Sequence, residues 1–150
     1  MKQLQGSAIA ETELPVEACF ALLASIDRYP VWFEMVREVE ILDREPDGRP
    51  RLARVEIFVP QSPFGTDFSF MVAVEADRPV KMRFTKLPDG PADEDRIELT
   101  WRIRENGWTE IEFEFDAAVS FVPGYLPVGG AGDVIAEIIL DAATSAFAGG

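Results

Sequence analysis

Hydrophobic and polar residues alternate along most of the middle of the chain, from about residue 36 to residue 121. Successive side chains of a strand point to opposite faces of a sheet, so this period of two predicts strands with one buried face. An earlier and less regular run at residues 4–14 predicts one more strand ahead of them. The chain therefore has seven predicted strands, the last six with buried faces at Val39–Ile41, Val55–Val59, Phe68–Val74, Val80–Phe84, Ile97–Ile103 and Ile111–Val119.

Two short helices are predicted between the first and second strands. Pro15 lies where the first turn of a helix tolerates proline, and apolar residues recur at helical spacing through residues 16–23. A second helical piece follows at residues 25–33, where Pro30 interrupts a segment rich in aromatic side chains. The order up to this point is one strand and then two helices.

The longest predicted helix lies at the end of the chain, over residues 133–147. At about 100° per residue, its isoleucines and alanines form a stripe that further apolar residues widen to an arc of roughly 200°. An arc this wide predicts a helix covered on three sides, as it would be inside a curved sheet. A surface helix with surplus alanine is the alternative. The stripe consists of Ile135, Ile138, Ile139, Ala142 and Ala146.

The connections between the predicted strands differ in length from one end of the sheet to the other. Antiparallel neighbours place their connections at alternating ends. Short turns at residues 47–48, 77–79 and 106–107 then share one end, and long segments at 60–66, 88–95 and 122–130 share the other. Because long loops on a rigid scaffold often carry function, we expect a binding site at the second end.

Composition and charge restrict the possible partners. The 150 residues include 27 acidic and 14 basic side chains, and the net charge of −13 disfavours nucleic acids and anionic membrane surfaces. The single cysteine, Cys19, has apolar neighbours and cannot form an internal disulfide. No secretory signal or membrane-spanning pattern is present, so we expect a cytoplasmic protein without membrane insertion. The oligomeric state stays open.

The same composition limits the chemistry. With no histidine and one apolar-flanked cysteine, Ser-His-Asp and Cys-His catalytic sets are excluded, and the usual zinc ligands are missing. The acids Asp93, Glu94 and Asp95 are adjacent, but a solvated charge run explains them better than a calcium site. We expect neither a metal nor another cofactor.

Three segments carry a resemblance to a known family. Residues 14–20 have a proline at the helix start, and residues 26–32 contain an acid, an aromatic residue, a proline and a tryptophan. The third segment is residues 36–42, before the Asp47-Gly48 turn. The chain resembles the START-like (SRPBCC) superfamily, and most of all its polyketide cyclase/dehydrase subgroup. That resemblance implies one α+β domain over residues 1–150 with the helix-grip fold. Its seven-stranded antiparallel sheet wraps around a long C-terminal helix, with two short helices after the first strand. It also implies an internal cavity for an apolar ligand.

Candidate ligand-binding residues follow from the parity of the strands and from the end of the sheet that carries the long segments. An inward Arg37 would bind a ligand carboxylate through its guanidinium, whereas a surface arginine leaning away from the sheet is the alternative. General acid–base chemistry would fall to Arg37, Tyr29, Tyr125 or Asp67. The candidate site comprises Trp32, Arg37, Phe68, Phe70, Phe84, Trp101, Phe113, Phe115, Tyr125, Ile135, Ile138 and Ile139.

These observations favour binding of a hydrophobic small molecule, lipid-like or aromatic and polyketide-like, as a carrier or by sequestration. The alternatives are a polyketide cyclase/aromatase or dehydratase-type enzyme and a protein-interaction module with a vestigial cavity. An enzyme needs two or more polar groups converging inside the cavity, whereas a carrier needs one at its mouth. A vestigial cavity would be filled by its own phenylalanines.

Overall fold

The structure is a computed structural model that describes residues 2–59, 66–119 and 131–149. It contains the seven strands and the helices that the sequence predicts, in the predicted order. A turn of 3₁₀ helix over Ile26–Arg28 links the first two helices. The elements are β1 (Lys2–Thr12), α1 (Val16–Ala24), α2 (Tyr29–Trp32), β2 (Val36–Arg44), β3 (Pro50–Val59), β4 (Thr66–Asp77), β5 (Lys81–Lys86), β6 (Arg96–Glu105), β7 (Thr109–Val119) and α3 (Ala131–Gly149).

All seven strands form one antiparallel sheet in the order β1-β7-β6-β5-β4-β3-β2. The first strand therefore pairs with the last, the strands from β2 to β7 each pair with the next in sequence, and β1 and β2 are the two edge strands. The short turns lie at one end, where Gly48 and Gly107 adopt φ values of 90° and 77° that favour glycine. The segment 87–95 lies at the opposite end, which we call the rim. The predicted fold class is confirmed.

The acidic residues of β7 point away from the core, as the alternation predicts. Arg102 of β6 lies between two of them, with its Nη1 atom 3.1 Å from Glu112 and 3.0 Å from Glu114. Arg96 and Arg104 pair in the same way with Asp116 and Glu110. Because these pairs are partly solvated, they contribute little to stability, but they show that the opposite parity faces inward.

Helix α3 touches the sheet backbone to backbone at its first turn. Gly6 of β1 and Gly132 of α3 are so close that a Cβ atom on either would overlap the main chain of the other element. Asp133 supports this contact, since its Oδ1 accepts a hydrogen bond from the Ser7 N–H at 3.1 Å. Glycine is required at both positions because no side chain fits between the two backbones.

This contact sets the rotation of α3 about its own axis. The buried positions follow Gly132 at helical spacing, at Ala136, Ile139, Leu140, Ala143 and Phe147. Ile138 lies off this stripe and is 56% exposed. The prediction that the apolar arc is covered on three sides, with Ile138 facing the sheet, is therefore wrong: the helix rests on one face, which the glycine contact selects.

We expect Gly6→Ala to destabilise the protein by about 3 kcal/mol, the upper end of the cost of overpacking, because the methyl group meets main-chain atoms that cannot move aside. Gly90→Ala is the matched control, since nothing lies within 4 Å of a Cβ at that position. Denaturant unfolding of the three proteins measures both effects. Equal stability of the two variants would contradict the close contact.

Candidate functional site

The inner face of the sheet divides into a close-packed part and a part with a cavity. Toward the short turns the side chains fill the space completely, and Trp101 packs on Phe113 with 4.4 Å between ring centroids. Other fully buried residues in this part include Met82, Ile103 and Ile111. Toward the rim, the inner face leaves an internal space between the sheet, α2 and α3.

This space is a cavity of about 160 Å³. Strands β2 to β6 supply most of its wall, α3 supplies two isoleucines, and the segment from the 3₁₀ turn to β2 supplies the remainder. Neither β1 nor β7 contributes a described wall residue. The wall consists of Ile26, Tyr29, Phe33, Met35, Val36, Val55, Ile57, Phe70, Val72, Phe84, Lys86, Ile97, Leu99, Ile135 and Ile139.

A larger depression of about 560 Å³ lies on the outer surface near the short turns. Charged side chains, among them Glu17, Asp77 and Arg102, make up much of its border. It is more open to solvent and its described lining brings no nucleophile or aromatic cluster together, so we place the candidate site at the apolar cavity.

Four of the predicted site residues lie on the cavity wall: Phe70, Phe84, Ile135 and Ile139. They occupy the inward parity of β4 and β5 and the sheet-facing side of α3 near its start. Their positions agree with the pattern from which they were chosen. Their contact with a ligand stays a prediction.

Three predicted aromatic residues lie elsewhere. Trp101, Phe113 and Phe115 are buried but belong to the close-packed part, where Phe113 also stacks near Phe115 with 6.4 Å between ring centroids. The expectation that they line the cavity is wrong. Parity placed them on the correct face, but Trp101 and Phe113 pack on each other and Phe115 lies beside Phe113, outside the cavity wall.

Arg37 points out of the sheet. Its side chain is exposed, and its guanidinium carbon lies 4.4 Å from the centroid of the Phe58 ring. The prediction of an inward Arg37 fails because β2 contains a bulge: Val36 pairs with Ile57 and Glu38 with Glu56, so Arg37 is the extra residue. Val36 is the residue that turns inward, and it lines the cavity.

The remaining predicted residues surround the wall or lie outside it. Trp32 is partly buried, stacks against Phe33, and has a buried indole nitrogen without a hydrogen-bond partner in the described part of the chain. Phe68 packs against the core without reaching the cavity wall. Ile138 is on the exposed side of α3, and Tyr125 lies outside the described residues.

Tyr29 lines the cavity with its ring rather than its hydroxyl. The hydroxyl donates a hydrogen bond of 2.6 Å to the Leu23 carbonyl oxygen, which closes the last turn of α1. Burial raises the pKa of Tyr29 well above that of an exposed phenol, although the neighbouring Trp101 indole acts in the opposite direction. Tyr29 therefore stays protonated at neutral pH, and its hydroxyl is bonded to the backbone of α1.

Lys86 is the charged residue on the described wall, and the sequence reasoning did not select it. Its side chain is only 7% exposed, and its Nζ lies 2.5 Å from Asp93 Oδ2 in the segment between β5 and β6. The signal was present, since Lys86 shares the inward parity of Met82 and Phe84 on β5. A lysine at the end of a strand usually lies at the surface, so its type alone did not indicate a residue of the cavity wall.

Asp93 is held in place by its own segment. Its Oδ2 also accepts the Asp89 N–H and its Oδ1 accepts the Asp95 N–H, both at 3.0 Å. These hydrogen bonds lower the pKa of Asp93 to about 2. The bond from Lys86 has the largest effect, followed by those from the two backbone N–H groups. Asp93 is therefore a fixed negative charge at any pH near neutrality.

The described residues offer little for nucleophilic or metal chemistry. Burial raises the pKa of the Cys19 thiol to about 11, so the thiolate does not form near neutral pH. In the described ranges no three His, Cys, Asp or Glu residues are grouped so that they could hold a metal ion. No described helix is long and apolar enough to cross a membrane.

Solved structures with the same fold come from several kinds of protein. A START superfamily protein from Mycobacterium smegmatis is 20% identical, with a TM-score of 0.72 over 97% of this chain and 95% of that one. Human STARD10 is 13% identical, with a TM-score of 0.69 over 95% of this chain and 62% of its own. The Zhui aromatase/cyclase from Streptomyces sp. R1128 is 15% identical, with a TM-score of 0.58 over 97% and 88% of the two chains. At these identities the likeness shows the fold alone.

Sequence comparison assigns the family. No curated protein matches the chain. The family model described as polyketide cyclase / dehydrase and lipid transport matches residues 12–144, nearly the whole chain. Together with the START-like neighbours, this match confirms the resemblance seen in the sequence, and the chain belongs to the polyketide cyclase/dehydrase and lipid transport family.

Proposed function

We propose that the protein binds a small hydrophobic molecule in the cavity between the sheet and α3. The observation that supports this function is the wall itself, which is apolar and aromatic apart from Lys86. A concave site lined by apolar and aromatic side chains is the usual form of a small-molecule pocket. Phe70, Phe84, Ile135 and Ile139 would contact the ligand.

The size of the cavity limits the ligand. A volume of about 160 Å³ is close to that of an engineered apolar cavity of about 150 Å³ that stays dry and binds benzene. It is below the range of roughly 300 to 1,000 Å³ for sites of drug-sized ligands. A single aromatic ring or a short branched chain fits these dimensions, so the aromatic form of the ligand is favoured over a long lipid chain.

Binding is favoured over catalysis by the polar groups on the described wall. A cyclase or dehydratase has to move protons, and it needs an acid and a base that reach the reacting atoms. Lys86 is already paired with Asp93, and the Tyr29 hydroxyl is bonded to Leu23. An apolar wall of this kind suits a carrier. An aromatase/cyclase activity is the second candidate, and only the shared fold supports it.

The stability of two phenylalanine variants separates a cavity from a filled core. Phe113→Ala removes a ring with packed neighbours on all sides, so we expect a loss of about 3 to 5 kcal/mol. Phe84→Ala removes a ring that already faces empty space, so its loss should be smaller by at least about 1 kcal/mol. Denaturant unfolding measures both. Equal losses would indicate that the phenylalanines fill a vestigial cavity.

Two valines on β4 provide a matched test of binding. Val72 lines the cavity, and Val74 is the next inward residue, buried in the close-packed part. We expect Val72→Phe to retain most of the stability and to lose binding of toluene, because the new ring occupies the cavity. Val74→Phe should cost about 1 to 3 kcal/mol by overpacking.

Toluene binding is measured by titration, following the methyl resonances of the wall residues in the NMR spectrum. The wild-type protein should show saturable shifts that are absent in Val72→Phe. Failure of toluene to shift these resonances in the wild type would contradict the proposed function. Unfolding of Val72→Phe at the same denaturant concentration as Val74→Phe would contradict the cavity.

A further inference from the structure

We propose that the ligand is a hydrocarbon, with one aromatic ring or a short branched chain, and that the cavity excludes molecules of the same size that carry a hydroxyl or carbonyl group. This inference rests on the proposed binding function and names the chemical class of its ligand. The observation behind it is that the polar side chains of the described wall are bonded to the protein itself and turned away from the cavity.

The surface that faces the cavity is formed by apolar atoms. Among the described wall residues, Tyr29 and Lys86 are the two whose side chains can form strong hydrogen bonds. Strands β3, β4 and β5 also contribute to the wall, but their backbone N–H and C=O groups belong to the ladders of the sheet. The described wall therefore presents neither a donor nor an acceptor to a ligand.

Both polar side chains of the wall have partners within the protein. The Tyr29 hydroxyl donates a hydrogen bond of 2.6 Å to the Leu23 carbonyl oxygen. Lys86 Nζ lies 2.5 Å from Asp93 Oδ2 and 3.4 Å from the Leu87 carbonyl oxygen. The ring of Tyr29 and the aliphatic stem of Lys86 are thus the parts that line the cavity, and both parts are apolar.

The indole N–H of Trp32 lies outside this wall. It is buried and has no hydrogen-bond partner in the described part of the chain, but Trp32 is not among the wall residues. Its ring packs against two residues that are, Tyr29 and Phe33, with 4.5 and 6.0 Å between ring centroids. Trp32 therefore belongs to the layer behind the wall, and we expect no hydrogen bond from it to a ligand.

A polar ligand would lose its hydrogen bonds to water on entering such a cavity. A buried polar group without a partner weakens binding on the order of 10- to 100-fold. A water molecule cannot replace the lost bonds, because an ordered water itself needs several polar partners and the cavity surface offers none. A hydrocarbon gives up no hydrogen bonds and keeps the whole gain from apolar contact.

Two pairs of probes matched in size test the inference at neutral pH: toluene with phenol, and ethylbenzene with benzaldehyde. Within each pair an apolar group is exchanged for a hydroxyl or carbonyl group, and all four molecules are uncharged. We expect phenol and benzaldehyde to bind about 10- to 100-fold more weakly than their partners. Titrations that follow the methyl resonances of the wall residues measure the four dissociation constants.

A threonine in the wall should relax this selectivity. Val72→Thr keeps the shape of the side chain and adds a hydroxyl at the cavity, so we expect the ratio of phenol to toluene dissociation constants to fall by about 3- to 10-fold. Val74→Thr is the matched control, since Val74 is the next inward residue of β4 and is buried outside the wall. It should keep the wild-type ratio. Denaturant unfolding checks that both variants are folded under the titration conditions.

The outcomes separate this inference from the function on which it rests. If phenol or benzaldehyde binds the wild type as tightly as its hydrocarbon partner or more tightly, a polar group reaches the ligand and the inference is overturned, while binding of small molecules stands. If none of the four probes binds, the proposed function fails and the inference fails with it. An equal change of the ratio in Val72→Thr and Val74→Thr, or no change in a folded Val72→Thr, would show that the apolar wall does not cause the selectivity.

Discussion

The contact between the backbones of Gly6 and Gly132 determines how the rest of the molecule is arranged. It brings the first turn of α3 against β1, the edge strand that pairs with β7. A helix held this closely cannot rotate, so the residues that follow Gly132 at helical spacing become the buried ones. The position of α3 over this edge then decides which part of the inner sheet it covers fully and which part it leaves open.

The cavity follows from that placement. Beneath α3 and α1, the large side chains Trp101 and Phe113 interdigitate and leave no space. Toward the rim the sheet continues through β3, β4 and β5, and only Ile135 and Ile139 of the helix extend over it. The segment around Tyr29 and Phe33 covers the remainder incompletely. The empty volume is thus a consequence of where the helix crosses the sheet rather than of any single small residue.

A single ion pair lies beside the apolar cavity, where the stem of Lys86 forms part of the wall. Lys86 and Asp93 are both mostly buried, with side chains 7% and 17% exposed, and removing either partner alone would leave a charge in apolar surroundings. The pair is held by backbone hydrogen bonds of its own segment, so it exists before a ligand enters. The Lys86 ammonium is bonded to Asp93 and Leu87, and the surface that faces the cavity is apolar, so the described wall offers no pair of groups for proton transfer.

The sequence by itself determined the seven strands, their antiparallel order, the helices and the inward parity of residues such as Phe70 and Phe84, because these depend on local periodicity and on turn chemistry. The same parity applies to Lys86, which shares the inward side of β5 with Met82 and Phe84. Three features were decided only by the tertiary structure. The bulge in β2 turned Arg37 outward, the Gly6–Gly132 contact turned Ile138 to solvent, and packing against Trp101 of β6 helped to bury Phe113 completely. Each depends on contacts between residues far apart in the chain, which a period of two or 3.6 residues does not encode.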